Sequence, residues 1–78
     1  MKGHRHYRAM TVAQVRERNG ADHTEVAFFE SARIYKLPRT NPTYNEALNL
    51  LRDAMATGRV VEVGFASVDS DIIEEVQP

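Results

Sequence analysis

Three histidines are the first side chains in this 78-residue sequence whose chemistry suggests a metal site. His4 and His6 are two residues apart, so both imidazoles would lie on one face of a strand, and His23 would supply a third ligand. The predicted pairing of the first two strands, however, places His23 opposite Arg18, at the far end of the first strand from His6. The three rings do not converge, and the sequence therefore predicts no metal site.

Acidic residues near the end of the sequence form a second candidate. Asp69 and Asp71, followed by Glu74 and Glu75, would supply oxygen ligands to a hard cation. The segment lacks the glycine and the final glutamate spacing of an EF-hand loop, and aspartate and serine are ordinary turn residues. We therefore interpret residues 68–71 as a hairpin turn.

Motifs for catalysis or nucleotide binding are absent from the sequence. It contains no Gly-x-Ser-x-Gly, Ser-x-x-Lys, P-loop or dinucleotide pattern, and its four glycines are too scattered to cradle a phosphate. It has no cysteine to act as a nucleophile, a thiolate ligand or a disulfide partner. We expect a non-enzymatic domain without a cofactor, and the alternative is an enzyme whose active site is built at an interface between copies of the chain.

Basic and aromatic side chains are interleaved on the predicted strands, as on surfaces that stack single-stranded nucleic acid. The candidate nucleic-acid face consists of Arg16, Phe29, Arg33, Tyr35 and Lys36. Their spacing matches no RNP motif, and core packing of the rings with ordinary surface use of the arginines is the competing interpretation. Nucleic-acid binding is therefore the alternative hypothesis for function.

Charge is distributed unevenly along the sequence, although the net charge is only -1. Residues 1–39 contain eight Lys and Arg against four acids, a balance of +4, and residues 40–78 contain two against seven, a balance of -5. Such asymmetry fits either a nucleic-acid face or contact between oppositely charged faces of neighbouring copies. An evenly mixed, solvated surface in the folded chain is the third interpretation.

Composition indicates one globular domain over residues 1–78, with residues 1–6 expected to fray. The chain is 42% hydrophobic and 27% charged, which is typical of folded rather than disordered sequences. It lacks the apolar segment of a secretory signal and the run of about 18 apolar residues that a membrane span needs. Without cysteines, the cytoplasm is the expected compartment.

Apolar and polar patterning predicts four or five strands and one helix. The predicted strands cover residues 7–18, 24–30, 33–37, 60–66 and 72–76, and residues 24–37 are either one strand bent near Ser31 or two strands joined by a tight turn there. A four-residue loop after Arg18 avoids placing two acids opposite each other across the first hairpin. The resulting pairs are Arg16 with Glu25, Val15 with Val26, Ala13 with Phe28, and Val12 with Phe29.

This pairing gives the first hairpin apolar side chains on both faces. One face fills the core, and the other retains a surplus made of Met10, Val12 and Phe29. Exposed contiguous apolar patches usually mark contact surfaces, and a small domain without disulfides gains stability by association. The leading hypothesis is therefore a binding module that self-associates, as a dimer or small ring, through this strand face.

Residues 42–57 read as the helix. Asn41 before Pro42, or Thr43 with Glu46 as a capping box, would begin it, and Gly58 would end it in a left-handed conformation. Apolar residues recur at steps of three and four on one face of this helix: Tyr44, Ala47, Leu48, Leu51, Ala54 and Met55. This stripe is expected to cover the core of the domain.

The order of elements, with one helix between the third and fourth strands, resembles the OB fold, in which the helix closes one end of a five-stranded barrel. Residues 28–76 also look like the pentameric binding subunits of cholera-type toxins. In both, a strand ending in proline leads into an Ala- and Leu-bearing helix, a Val-rich strand and an Ile-containing edge strand. The resemblance implies edge-to-edge association and binding through strand faces. It assigns no glycan-binding residue, because this sequence has neither a cysteine pair nor a signal segment.

The predicted fold class is therefore α+β. We expect a strongly curved antiparallel sheet of four to five strands, arranged as an OB-like barrel on one amphipathic helix, in the order β-β-(β)-α-β-β.

Overall fold

Residues 5–78 are described by a computed structural model, and they form one antiparallel sheet packed on one helix. The elements are β1 (His6–Arg16), β2 (His23–Phe28), β3 (Ile34–Pro38), α1 (Tyr44–Thr57), β4 (Val60–Phe65) and β5 (Ile73–Gln77). The spatial order of the strands is β3-β2-β1-β4-β5. The predicted α+β class and the position of the helix between the third and fourth strands are confirmed.

The central strand, β1, changes partner along its length. Its first half pairs with β4, from His6 opposite Phe65 to Thr11 opposite Val60, and its second half pairs with β2. His6 is therefore part of the sheet, although fraying was predicted to extend over it. The same prediction for residues 1–4 lies outside the described residues.

One extra residue in β1 determines which side chains enter the core. Arg16 lies opposite Glu25 and Val15 opposite Val26, as predicted, but Val12 lies opposite Phe28, which leaves Ala13 without a partner. Side chains alternate along a strand, so one inserted residue brings Val12 and Val15 to the same side of the sheet. The predicted pairs Ala13 with Phe28 and Val12 with Phe29 are wrong for this reason.

The β-bulge at Ala13 removes most of the apolar surplus that the sequence suggested. Met10 is fully buried and Val12 is 3% exposed, and both belong to the core that contains Val26 and Phe28. Only Phe29 of the three predicted contact residues stays outside, with 74% of its surface exposed. The bulge thus merges two apolar sets that a regular hairpin would place on opposite faces.

The second hairpin, β2–β3, turns through residues 29–33, where a bend near Ser31 was predicted. β3 then ends at Pro38, which has no amide hydrogen with which to extend the ladder. Beyond β2, the only backbone pairing of β3 within residues 5–78 is to the segment before β5, where the Lys36 amide donates to Asp71 O at 2.8 Å. This single parallel link between Lys36 and Ile72 leaves the sheet open rather than closed.

Helix α1 begins at Tyr44 with Thr43 as its N-cap, the later of the two predicted starts, and the start at Pro42 is wrong. The Thr43 side chain does not cap the helix; instead its amide and hydroxyl both donate to Oδ1 of Asn41, at 2.8 and 2.9 Å. The Asn41 amide nitrogen donates to Glu74 O at 2.9 Å, which ties the helix start to β5. Gly58 ends the helix with φ 74°, as predicted.

The buried side of α1 is centred on Ala47, Leu51 and Ala54. Leu48 and Leu50 are partly buried against the same core, whereas Met55 is 38% exposed. The predicted stripe is therefore correct along most of its length and wrong at Met55. The buried face is rotated towards Leu50, and Met55 lies at its rim.

Polar side chains that enter the core form hydrogen bonds there. Thr24 is fully buried, and its hydroxyl lies 2.6 Å from the hydroxyl of Tyr44 on the helix. Tyr35 packs its ring between Phe28 and Phe65, with centroid distances of 5.4 and 5.2 Å. Within residues 5–78, every buried side-chain nitrogen and oxygen has a hydrogen-bond partner.

The only helix of the described segment, α1, is 14 residues long and amphipathic. No helix among residues 5–78 is sufficiently long and apolar to cross a membrane.

Candidate interaction face

The solvent side of β1, β2 and β3 presents two rows of side chains, which we call the outer face. In one row, Arg16, Glu25 and Lys36 are direct cross-strand partners; in the other, Gln14, Ala27 and Ile34 are partners in the same way. Partners in a sheet point to the same side, so each row forms a continuous strip across three strands. The core side of these strands is filled by Val26, Phe28 and their neighbours.

A shallow depression of about 130 Å³ lies on this face. It is lined by Gln14, Arg16, Glu25, Val26, Ala27 and Ile34. The depression is too small to enclose a metabolite, since ligand pockets usually measure about 300–1,000 Å³. The outer face therefore has the form of a contact surface and not of an enclosed pocket.

Large apolar side chains are exposed at one end of the outer face. Phe29 follows β2, and its amide donates to Thr11 O at 2.9 Å, which continues the β1–β2 ladder by one residue. Thr11 is in turn the cross-strand partner of Val60, which is 56% exposed. Ile34, 50% exposed, begins β3 opposite Ala27. We call Phe29, Ile34 and Val60 the apolar edge of the outer face.

Glu30 holds this end of the sheet together. Its carboxylate accepts hydrogen bonds from the amide and the hydroxyl of Thr11, each at 2.7 Å. The amide bond is the larger cause, and the hydroxyl bond the second, of a pKa for Glu30 below the ordinary glutamate value. The Glu30 side chain thus takes the place of a backbone hydrogen-bond acceptor at the point where the pairing of β1 changes from β2 to β4.

The five predicted nucleic-acid contacts are divided between surface and core. Arg16 and Phe29 are exposed, and Lys36 is half-buried on the outer face with Nζ 4.0 Å from Asp71. Arg33 is exposed but donates to Asp69 O at 2.8 Å. Tyr35 is only 2% exposed, so its assignment to a stacking surface is wrong.

The reason for the burial of Tyr35 lies in the register of β3. Its cross-strand partner is Val26, a core residue, and partners share one side of the sheet. The phenol hydroxyl reaches the rim, where it accepts from Arg8 at 3.2 Å and donates to Ser31 Oγ at 3.0 Å. The ring of Tyr35 is thus packed in the core, and its hydroxyl forms hydrogen bonds at the rim of the core.

Sequence reasoning missed two of the three residues of the apolar edge. Ile34 was expected inside a strand that begins at Arg33, and Val60 at the start of the strand after the helix; the register shows them to be partners of the outward-facing Ala27 and Thr11. The alternation of Val61 and Val63 with Glu62 was a usable signal, because it places Val60 on the polar side of its strand. Phe29 was identified correctly as exposed.

Ion pairs within one molecule partly balance the charge asymmetry along the chain. Arg5 lies 3.2 Å from Glu74 and 2.7 Å from Glu75, and Nζ of Lys36 lies 4.0 Å from Oδ2 of Asp71. These contacts join the basic first half to the acidic second half in one fold. The asymmetry therefore does not by itself indicate an external polyanion.

Arg5, Tyr7 and Glu75 form the densest polar cluster in the described chain. Oε1 of Glu75 accepts from the Tyr7 hydroxyl at 2.6 Å and from Arg5 at 2.7 Å, and its Oε2 accepts from Gln77 at 2.6 Å. These bonds, the one from Tyr7 first, lower the pKa of Glu75, and the same bond raises the pKa of Tyr7. The cluster fastens β1 to β5 across β4.

Potential metal ligands do not gather in the described structure. His6 begins β1, and His23 begins β2 with Nδ1 2.8 Å from Asp22, whose pKa is lowered by that contact; His4 lies outside the described residues. Glu74 and Glu75 face Arg5. Among residues 5–78, no three His, Asp or Glu side chains are arranged to hold a metal ion.

Comparison with known proteins adds no relative. No protein-family model, curated protein or solved structure matches this chain. The outer face and its apolar edge therefore have to be interpreted from their own chemistry.

Proposed function

We propose that this chain is a non-enzymatic binding module that self-associates through the outer face, with Phe29 at the centre of the contact. The observation that carries the proposal is the position of this ring: a phenylalanine 74% exposed, beside the further exposed apolar residues Ile34 and Val60. Aromatic side chains bury 150–250 Å² each and dominate interface energetics. The corrected apolar edge replaces the surplus that included Met10 and Val12.

The charges of the outer face favour a second copy of the chain as the partner. Glu25 lies between Arg16 and Lys36 in one cross-strand row, so the strip carries both signs. In a two-fold contact, a strip with both signs can oppose its own copy with cations against the acid. A phosphate backbone would instead meet the Glu25 carboxylate between the two cations.

A stable contact would have to include neighbours of the apolar edge. A standard interface buries about 800 Å² on each partner, which is roughly one sixth of the 5028 Å² surface of this chain. The three apolar residues supply its centre, and Gln14, Ala27 and the charged row supply its rim.

The test is the mass of the protein in solution across a concentration series, measured by light scattering or sedimentation. The wild-type chain is expected to form a dimer or small ring, and Phe29→Ser is expected to shift it towards the monomer. Because Phe29 is mostly exposed, the variant keeps the core intact, which thermal unfolding can verify.

Met55→Ser is the matched control. Met55 is 38% exposed and lies on α1, which packs on the core side of the sheet and not on its solvent side, so its loss should not change the mass. A wild-type protein that remains monomeric at high micromolar concentration would remove the proposal. Equal effects of the two substitutions would remove the assignment to the outer face.

We also propose that the sheet has the arrangement of an OB-like barrel, with its seam between β3 and β5. The supporting features are the strand order β3-β2-β1-β4-β5, the helix between β3 and β4, and the contact of the two outer strands at Lys36 and Ile72. A crystal structure in which β3 and β5 pair along their length would establish closure. The toxin-like association of such barrels remains part of the same proposal.

Binding of single-stranded nucleic acid is the second candidate. Arg16 and Phe29 are exposed on one side of the sheet, which supports a cation next to a stacking ring. Filter binding at two salt concentrations tests it: retention that falls as salt rises is the expected result. The absence of retention at low salt would exclude nucleic acid and leave self-association untouched.

A further inference from the structure

The tip of the β1–β2 turn contains an asparagine followed by glycine, Asn19 and Gly20. Both residues are exposed. The turn is closed below them by the Ala21 amide, which donates to Arg18 O at 3.3 Å. Gly20 has φ 81°, and apart from the two neighbouring residues of the chain nothing lies within 4 Å of the place that a Cβ on this residue would occupy. The tip thus has open space around its backbone.

The hydrogen bonds that hold this loop do not include the side-chain amide of Asn19. Arg39 donates from its guanidinium to Arg18 O at 3.2 Å and from its backbone amide to Asp22 O at 2.9 Å. These contacts secure the two ends of the loop against the segment after β3. In the part of the chain that the structure describes, no hydrogen bond involves the Asn19 side chain.

We propose that Asn19 is a site of spontaneous covalent modification in the folded protein, deamidating through a cyclic imide with Gly20. The Gly20 backbone nitrogen, after losing its proton to a solvent base, attacks the side-chain Cγ of Asn19. The Cγ–N bond to the amide group breaks, and ammonia leaves with a proton from solvent. Water then opens the five-membered imide at either carbonyl and gives aspartate or isoaspartate.

The net reaction consumes one water and releases one ammonia, so it needs no enzyme, oxidant or cofactor. Glycine is suited to the attacking position because it has no Cβ to hinder ring closure and tolerates the backbone angles involved. The free side chain of Asn19 can rotate towards the Gly20 nitrogen, since no partner has to be released.

The other three asparagines of the sequence lack this arrangement. Asn41 precedes Pro42, which has no amide hydrogen, and the Asn41 side chain is held by Thr43 and Glu74 O. Asn45 and Asn49 lie within α1, where the backbone is held in helical conformation. They serve as internal controls for the reactivity of Asn19.

The product changes the charge at one end of the outer face. A new carboxylate at residue 19 adjoins Arg18, whose guanidinium lies 4.0 Å from Oε1 of Glu25. The isoaspartate form also inserts a methylene into the backbone, which disrupts the turn bond between Arg18 and Ala21. Each modified molecule becomes more acidic by one charge.

The experiment incubates the full folded chain in ¹⁸O-water at mildly alkaline pH and follows it by peptide mass spectrometry. Cleavage after glutamate releases residues 18–25, which contain Asn19 alone among the asparagines. The expected result is ¹⁸O incorporation into this peptide, growing with time and faster at higher pH, while the peptides with Asn45 and Asn49 stay unlabelled.

Asn19→Gln is expected to abolish the acidic species on a charge-sensitive separation, because the six-membered ring from glutamine closes much more slowly. Asn45→Gln should leave that species unchanged. Labelling that occurs only after unfolding in urea would overturn the proposal, because the folded turn would then protect Asn19. Equal labelling at Asn19, Asn45 and Asn49 would overturn it as well.

Discussion

The ring of Tyr7 on β1 lies over Gly64 on β4, its direct cross-strand partner. A Cβ at residue 64 would stand 2.9 Å from Cε1 of Tyr7, closer than packed atoms allow. On the other side of Gly64, its partner Glu75 receives the Tyr7 hydroxyl bond. The glycine therefore provides the space through which β1 reaches β5, with the tyrosine covering the position that lacks a side chain.

Gly64→Ala is expected to destabilise the fold by about 1–3 kcal/mol, the usual cost of an added methyl in a packed site. The ring of Tyr7 must move, and its bond to Glu75 is then lost. In a Tyr7→Ala background the same substitution should cost nothing or stabilise slightly, since alanine is favoured over glycine in strands by about 0.5–1 kcal/mol. Urea unfolding of the double-mutant cycle measures the coupling. Equal costs in both backgrounds would contradict this account.

Acid should weaken the fold partly through Glu75. Its folded pKa is lowered, by Tyr7 first and then by Gln77 and Arg5, so its stabilising effect is complete above the unfolded pKa of about 4.3 and disappears as pH falls through the folded value. Glu75→Gln should therefore unfold at lower urea than wild type at neutral pH, and the difference should close in acid. Glu62→Gln, an exposed carboxyl on β4, is the control and should barely change the neutral midpoint.

The centre of the helix contact predicts unequal effects of two alanine substitutions. Leu51 is fully buried, so Leu51→Ala is expected to cost about 2–5 kcal/mol through lost burial and the cavity that remains. Met55 is 38% exposed, so Met55→Ala is expected to cost less than about 1 kcal/mol. Urea unfolding midpoints compare the two. Similar losses would mean that the buried side of α1 faces Met55 after all.

Removal of the two hydrogen bonds that Thr11 donates to Glu30 should lower the thermal stability in steps. Glu30→Gln keeps one acceptor oxygen, whereas Glu30→Ala keeps none and leaves the Thr11 amide to water. The melting temperature is therefore expected to fall in the order wild type, Gln, Ala. Thr11→Val removes only the hydroxyl bond and should lie above Glu30→Ala. A melting temperature of Glu30→Ala equal to that of wild type would refute the role of this carboxylate.

Local signals in the sequence were sufficient for the elements. Gly58 ends the helix where its conformational freedom predicts, and the pairs of Arg16 with Glu25 and Val15 with Val26 follow from charge and size across a short loop. These features depend on residues close in sequence or directly opposite in one hairpin. The strands, the helix and the α+β class could therefore be predicted.

Non-local features could not be predicted in the same way. Nothing at Ala13 marks it as the inserted residue, because the bulge contains no glycine, yet it decides that Met10 and Val12 enter the core. The pairing of β1 with β4, which brings Val60 beside the outer face, joins strands far apart in sequence, and the burial of Tyr35 depends on the register of the β2–β3 hairpin. Of the residues predicted for a nucleic-acid face, Arg16, Phe29 and Arg33 are exposed, Lys36 is half-buried and Tyr35 is buried.

The single backbone bond from the Lys36 amide to Asp71 O has a consequence for the dynamics of the sheet. It joins β3 to the segment that leads into β5, whereas each strand pairing of the described sheet is a ladder of several pairs. With one backbone hydrogen bond, this seam should separate in fluctuations that leave the ladders intact. The exchange rate of the Lys36 amide hydrogen would then measure the opening of the seam, independently of global unfolding.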